Sequence, residues 1–230
     1  MMHDGHRDRV RERFLKEGLD HFEPHQILEF LLFYAIPRMD TNEIAHRLIN
    51  TFGSLSAVLD APISELVKVQ GVGPNAACLL KSIPSLCRRY QSDKSETGCI
   101  LSSTEEAGNF LLPRYLGRTV EMFSAILLDN KNRVLHWSVI SEGNVNSTHV
   151  NIRGLAEAVL RYNATGVIIA HNHPNGLAVP SAQDVAMTEQ IAAAMSAINV
   201  FLADHIVLAA DDYISFRDSY QYACYLPANP

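Results

Sequence analysis

No stretch of eighteen apolar residues occurs in this 230-residue sequence, and its start, MMHDGHRDRVRERF, is too polar for a secretory signal. Both absences point to a chain that keeps off membranes and works in the cytoplasm. Cysteine is scarce. Cys78, Cys87, Cys99 and Cys224 are scattered without a Cys-x-x-Cys pair, which excludes a disulfide framework and a zinc ribbon and predicts reduced thiols, several of them buried. Positive charge is not in excess either: 19 Lys and Arg stand against 25 Asp and Glu, a formal net charge of -6, so the basic face of a dedicated duplex binder is not indicated. His-Glu-x-x-His is absent, which removes the helix-borne zinc protease arrangement. So is Pro-Cys-x-x-Cys, which the zinc deaminase pattern requires.

What is present suits a folded protein with real cores, since 47% of residues are hydrophobic. Polar turn formers at 91–98 interrupt two patterned regions. They divide the chain into a helical domain (1–92), a linker (93–99) and a second domain (100–222). In the first domain, 25–35 is strongly apolar, and Asp40-Thr41-Asn42-Glu43 has the form of a capping box ahead of a helix over 43–51. After the linker the spacing predicts a helix over 103–112, strands over 120–129 and 133–140, and a helix over 152–162. A strand leading to His171, a long helix to about 197, and strands over 200–208 and 213–216 complete the pattern. The expected class is an α/β sandwich containing a mixed sheet.

The densest chemistry lies in residues 165–184, TGVIIAHNHPNGLAVPSAQD. Val167 to Ala170 suit a covered strand, which the Pro174-Asn175-Gly176 cluster ends. Side chains two apart on a strand share a face, so His171 and His173 can present two imidazoles to one ion while Asn172 faces away. Past the loop, Pro180-Ser181-Ala182-Gln183-Asp184 opens a helix. Two imidazoles and the Asp184 carboxylate form a borderline-soft set that suits zinc and leaves a fourth position for water. A competing reading also fits: Ser181 and Asp184 have the spacing of a helix-capping box, and both roles can coexist.

His171-x-His173-Pro174, then Pro180 and Ser181-x-x-Asp184, resembles the metal motif of the JAMM/MPN metalloproteases, and HNHPNG followed by PSAQD is closest to the bacterial RadC proteins within that group. The resemblance runs from His6-Arg7-Asp8 through Gly71-Val72-Gly73 to Asp204-His205-Ile206 and Ser215-Phe216. It implies an MPN/JAMM, cytidine-deaminase-like sandwich preceded by an all-α helix-hairpin-helix domain. It further implies a glutamate from an early strand that deprotonates water, and Glu121 stands in the matching position. An ordinary solvated glutamate is the alternative for Glu121, and Glu142, in a turn-like Ser141-Glu142-Gly143 context, is the runner-up for the role. By the same resemblance Zn2+ is the cofactor, His171, His173 and Asp184 hold it, and Ser181 donates to a developing oxyanion. The implied reaction is hydrolysis of an amide in a peptide or protein substrate. A DNA-associated repair or scaffold protein with little turnover is the alternative, since the RadC name is linked to DNA repair.

In the first domain, residues 66–77 look like the hairpin of a helix-hairpin-helix, with Gly71 and Gly73 permitting the tight backbone and Pro74 suiting the first turn of the second helix. Such a hairpin can hold a phosphate and contact DNA nonspecifically. A purely structural hairpin is the alternative, favoured by charge: residues 1–96 hold 12 Lys and Arg against 13 Asp and Glu. His205 matches a family Asp-His pair. It reads either as a hydrogen-bond partner of a ligand or, more commonly, as a satisfied core histidine. Where the family usually carries His-Pro-Arg-Glu, this chain has Asn151-Ile152-Arg153-Gly154, which bears on substrate identity more than on metal binding. His3, His6, His136 and His149 have no clear partner spacing.

Overall fold

The computed structural model describes residues 5–94, 98–143, 151–174, 176–210 and 212–228. Residues 95–97 of the expected linker, Asn175, His3 and His149 lie outside the described residues. The chain divides into two compact units, Met1–Cys87 and Arg88–Pro230.

The first unit is helical: α1 (His6–Glu17), α2 (Pro24–Ala35), α3 (Thr41–Phe52), α4 (Leu55–Asp60), α5 (Ile63–Leu66) and the start of α6 (Pro74–Lys94). Its core gathers Leu28 and Leu32 of α2, Ile44 and Leu48 of α3, Val58 of α4, Leu66 of α5 and Leu80 of α6. The i, i+4 spacing of these pairs puts each apolar stripe on one helix face. Arg7 ties α1 to the end of α2 by donating to the carbonyls of Phe33 and Ile36, which the helix C-terminus leaves without intrahelical partners, and to those of Pro37 and Met39 just beyond it. Asp40 caps α3 by accepting from the Asn42 amide, but Glu43 pairs with Arg47 rather than reaching back. The capping box expected there is therefore only half made.

The hairpin before α6 turns at Gly71, whose φ is +95° and where a Cβ would come within 2.8 Å of the Ile44 side chain. Gly73 differs from the sequence expectation. Its φ is not in the left-handed region and a Cβ there would meet nothing within 4 Å, so only Gly71 is required by the turn.

The second unit is a five-stranded mixed sheet of order β2-β1-β3-β4-β5, built from β1 (Met122–Leu128), β2 (Val134–Glu142), β3 (Gly166–Asn172), β4 (Phe201–Ala209) and β5 (Asp212–Ser215). Only β3 and β4 are parallel. Their connection carries α9 (Ala182–Ser196), as a parallel crossover requires. One face, with Phe123, Val167, Ile169 and Val207, packs on Leu155 and Val159 of α8 (Ile152–Arg161) and on Ile191 and Met195 of α9. The other face, with Met122, Ile126, Ile168 and Ile206, packs on Phe110 and Leu111 of α7 (Thr104–Tyr115). Buried on both faces, β1 and β3 read as continuous apolar runs rather than alternating ones.

One expectation needs correction. Cys78, Cys87 and Cys224 are exposed and Cys99 is half-buried, so no thiol is a core residue; three of the four sit on helical segments that turn them outward. Among the described residues, no helix is long and apolar enough to cross a membrane.

Candidate metal centre

The C-terminal end of β3 delivers the two imidazoles. His171 is its penultimate residue and His173 follows just beyond it, so the period-two pleat turns both to the α8/α9 face. β1 runs antiparallel to β3 with Phe123 opposite His171. Continuing that register by two residues places Glu121, immediately ahead of β1, opposite His173 and on the same face. One ligand atom each from Glu121, His171 and His173 comes together within 4.8 Å, a cluster that can hold a metal ion.

Asn172 points to the opposite face, as the alternation requires. Its Oδ1 accepts from the Met122 amide at 2.8 Å and its Nδ2 donates to the Val120 carbonyl at 3.2 Å. The backbone on both sides of Glu121 is thereby pinned to the strand carrying the histidines.

Asp184 arrives from the first turn of α9. Its Oδ1 lies 3.1 Å from His171 Nε2 and its Oδ2 3.6 Å from His173 Nε2. The same carboxylate completes a capping box: Oδ2 accepts from the Ser181 amide and hydroxyl, both at 2.7 Å, and the Asp184 amide donates back to Ser181 Oγ at 3.2 Å. The two readings of this spacing are thus one object, with the cap holding the carboxylate where it meets the imidazoles. In this arrangement the Ser181 hydroxyl proton is given to Asp184.

Proton placement follows from the partners of the outer ring nitrogens. His173 Nδ1 is 3.0 Å from the Leu177 carbonyl, which can only accept, so Nδ1 carries the proton. His171 Nδ1 is 2.9 Å from His205 Nε2. His205 is fully buried; its Nδ1 lies 2.7 Å from Thr188 Oγ1, and its ring stacks on Phe216. His205 is therefore both a satisfied core histidine and the partner of a site residue, two readings that the sequence set against each other. Thr188, which the sequence reading did not single out, is fully buried one turn beyond Asp184, and its hydroxyl also reaches the Asp184 carbonyl at 2.6 Å.

The electrostatics separate these groups. Burial pushes the Glu121 carboxyl up, against the pull of the two imidazoles. Burial also acts upward on Asp184, but His171, His173 and Ser181 outweigh it and hold that carboxyl well below the usual carboxylate range. The Asp184 carboxylate raises His173, against its partial burial. Burial keeps His205 well below an ordinary imidazole, hence neutral. Two acids in one site are thereby split, one kept easy to protonate and the other kept charged.

Glu142, the runner-up, ends β2 and is half-exposed, bonded to Arg118 at 2.5 Å. His136 stacks on Tyr162 at 4.1 Å between ring centroids. His6 bonds the buried Glu29 in the first unit, and Gly71 and Gly73 belong to that unit as well. Asn151 caps α8 through the Gly154 amide, and Arg153 pairs with Glu157 in its own helix.

A family model described as a RadC-like JAB domain matches residues 101–221, and one described as UPF0758 N-terminal matches residues 3–78. A UPF0758 protein of Fusobacterium nucleatum is 34% identical over 223 residues, which covers 93% of this chain and 95% of that protein. A UPF0758 protein of Paraburkholderia phytofirmans is 34% identical over 209 residues, covering 91% and 81%. By these matches the chain, a helical N-terminal region followed by a mixed-sheet domain, belongs to the UPF0758 family of proteins with a RadC-like JAB domain.

Proposed function

We propose that this chain is a zinc-dependent hydrolase that cleaves an amide bond in a peptide or protein. One observation carries the reading: His171 Nε2 and His173 Nε2 face each other at 3.0 Å, while the Nδ1 of each is already committed to another partner. Two neutral imidazoles so arranged oppose their lone pairs, and a cation between them removes the conflict. With the Asp184 carboxylate against both rings, the donor set is the nitrogen and oxygen set that zinc accepts. His171, His173 and Asp184 would hold the ion, and Glu121 would stand beside it as base.

When bound, zinc supplies Lewis-acid activation of a water molecule and polarises the scissile carbonyl. Glu121 takes the proton of the attacking water and returns it to the departing nitrogen, a two-way role that suits a carboxyl raised by burial. Asp184, held charged by its donors, does not compete for that proton. Ser181 donates its hydroxyl to the oxygen of the carbonyl under attack by exchanging that proton's partner from Asp184 Oδ2 to the substrate. Leu177 and Val179, exposed on the loop between the two ligand segments, offer contact to an apolar substrate side chain. The test is zinc analysis with a peptide-library digest of wild type and Glu121→Gln. Zinc in both with cleavage only by wild type is expected, and a wild type that neither binds zinc nor cleaves would end the reading.

A second reading concerns the first unit. We propose weak, nonspecific DNA contact at the Gly71 hairpin, because the left-handed turn leads into the α6 N-terminus with the Arg47 guanidinium bonded to the Gln70 carbonyl beside it. Binding of single-stranded DNA that weakens with salt and drops with Arg47→Ala is the expected result. No binding at low salt would dismiss it.

A further inference from the structure

We infer that Thr188 and His205 are positioning residues that fix which nitrogen of His171 faces the metal. The inference rests on the metal-centre reading above, and the experiment below separates the failure of one from the failure of the other.

Four groups form one buried chain: the Asp184 carbonyl, the Thr188 hydroxyl, His205 and His171. The consecutive separations are 2.6, 2.7 and 2.9 Å. Its direction is set at the carbonyl end. A carbonyl oxygen cannot donate, so at 2.6 Å the Thr188 hydroxyl must spend its one proton there, the back-bonding to residue i-4 that threonine makes inside helices. The hydroxyl oxygen is then left as an acceptor and takes the proton on His205 Nδ1. His205 has no exposed surface and its ring lies 4.6 Å from that of Phe216, surroundings that favour the neutral form with one ring proton. With that proton on Nδ1, His205 Nε2 can only accept, and His171 must supply Nδ1-H. In the neutral ring the bare nitrogen of His171 is then Nε2, the atom that faces His173 and Asp184 and would take the cation.

A single hydroxyl thus links both of the elements that bring ligands. It touches the backbone of Asp184 directly and reaches His171 of β3 through His205 of β4. Without it, the opposite polarity becomes available: His205 donates from Nε2 to His171 Nδ1, and His171 then presents Nε2-H, which cannot bind a cation. Removing such outer partners of a ligating histidine typically costs about 10- to 100-fold in metal affinity.

The experiment uses the full chain, labelled with 15N-histidine, as wild type, Thr188→Val and Thr188→Ser. Ring-nitrogen shifts of the metal-free proteins report the His171 tautomer, and competition with a chromophoric chelator reports zinc affinity. Expected are Nδ1-H on His171 in wild type, a shift toward Nε2-H in Thr188→Val with about a 10- to 100-fold loss of zinc affinity, and return of both in Thr188→Ser. An unchanged tautomer in Thr188→Val overturns the inference whether or not affinity falls, because a structural defect alone can lower affinity. If wild type binds no zinc, the metal-centre reading fails while the tautomer comparison still decides the relay. If Thr188→Val does not fold, the wild-type assignment decides alone: Nδ1-H upholds the inference and Nε2-H overturns it.

Discussion

His171 Nε2 and His173 Nε2 stand 3.0 Å apart and both face the Asp184 carboxylate, while the Nδ1 of each ring faces another partner. Were both nitrogens bare, their lone pairs would oppose each other and that carboxylate, a conflict that a bound cation relieves. Metal-free His173→Ala should match the unfolding free energy of metal-free wild type within about 1 kcal/mol, because the ring lost is partly exposed and outside the hydrophobic core. Zinc should stabilise wild type by about 2.7 kcal/mol at a free concentration one hundred times Kd and leave the variant unmoved. Chemical denaturation with chelator and with added zinc measures both.

Glu121→Gln preserves shape and removes the base. Turnover of any cleavable amide should fall by about 10²- to 10⁴-fold, the usual contribution of general acid-base catalysis, with zinc still bound. Loss of zinc from this variant, with zinc retained by Asp184→Asn, would instead make Glu121 the ligand and Asp184 the outer acid.

Ser181→Ala removes two things at once. The capping bond to the Asp184 amide goes, at a cost of about 1 kcal/mol of stability. The oxyanion donor goes as well, at a cost of about 2.7 to 4 kcal/mol in transition-state stabilisation if the proposed role holds. A cap alone predicts a lower Tm with near-normal kcat; the proposed role predicts a larger loss in kcat than in stability.

Asp204 gives the second unit a pH signature. Burial raises its carboxyl from 3.8 to about 6, against the Ser215 hydroxyl and the amides of Arg217 and His205 that favour the charged form. The folded state then holds this proton more tightly than the unfolded chain. Its stabilising contribution is complete below pH 3.8 and is lost as pH rises through about 6. The full swing is roughly 3 kcal/mol. Unfolding free energy of wild type relative to Asp204→Asn should fall by that order between pH 4 and pH 7. A pH-independent difference between the two proteins would contradict it.

Much of the site was legible because its rules are local. The pleat alone puts His171 and His173 on one face and Asn172 on the other, and three-residue spacing alone puts Asp184 against Ser181 at a helix start. What stayed open depends on sheet register, since His205 fitted both a ligand's partner and a core histidine. His205 lies 34 residues from His171, and only the parallel pairing of Ile169 with His205 brings the two rings together. Thr188 is an ordinary threonine until its helix is docked on β4. The cap and ligand readings, open to coexistence from the spacing alone, fall on one carboxylate, whose Oδ2 accepts from Ser181 while Oδ1 lies against His171. The strands, helices and mixed sheet of the second unit followed from apolar runs and turn formers. Solvent exposure of the cysteines did not, because helix faces are assigned only once the core is known.

The most direct measurement is a metal analysis of the purified full chain after exposure to zinc and exhaustive dialysis, in parallel with His171→Ala and Asp184→Ala. One zinc per chain in wild type and none in either variant is the predicted result. Wild type without zinc, or variants that retain it in full, would contradict the metal centre on which the proposed chemistry stands.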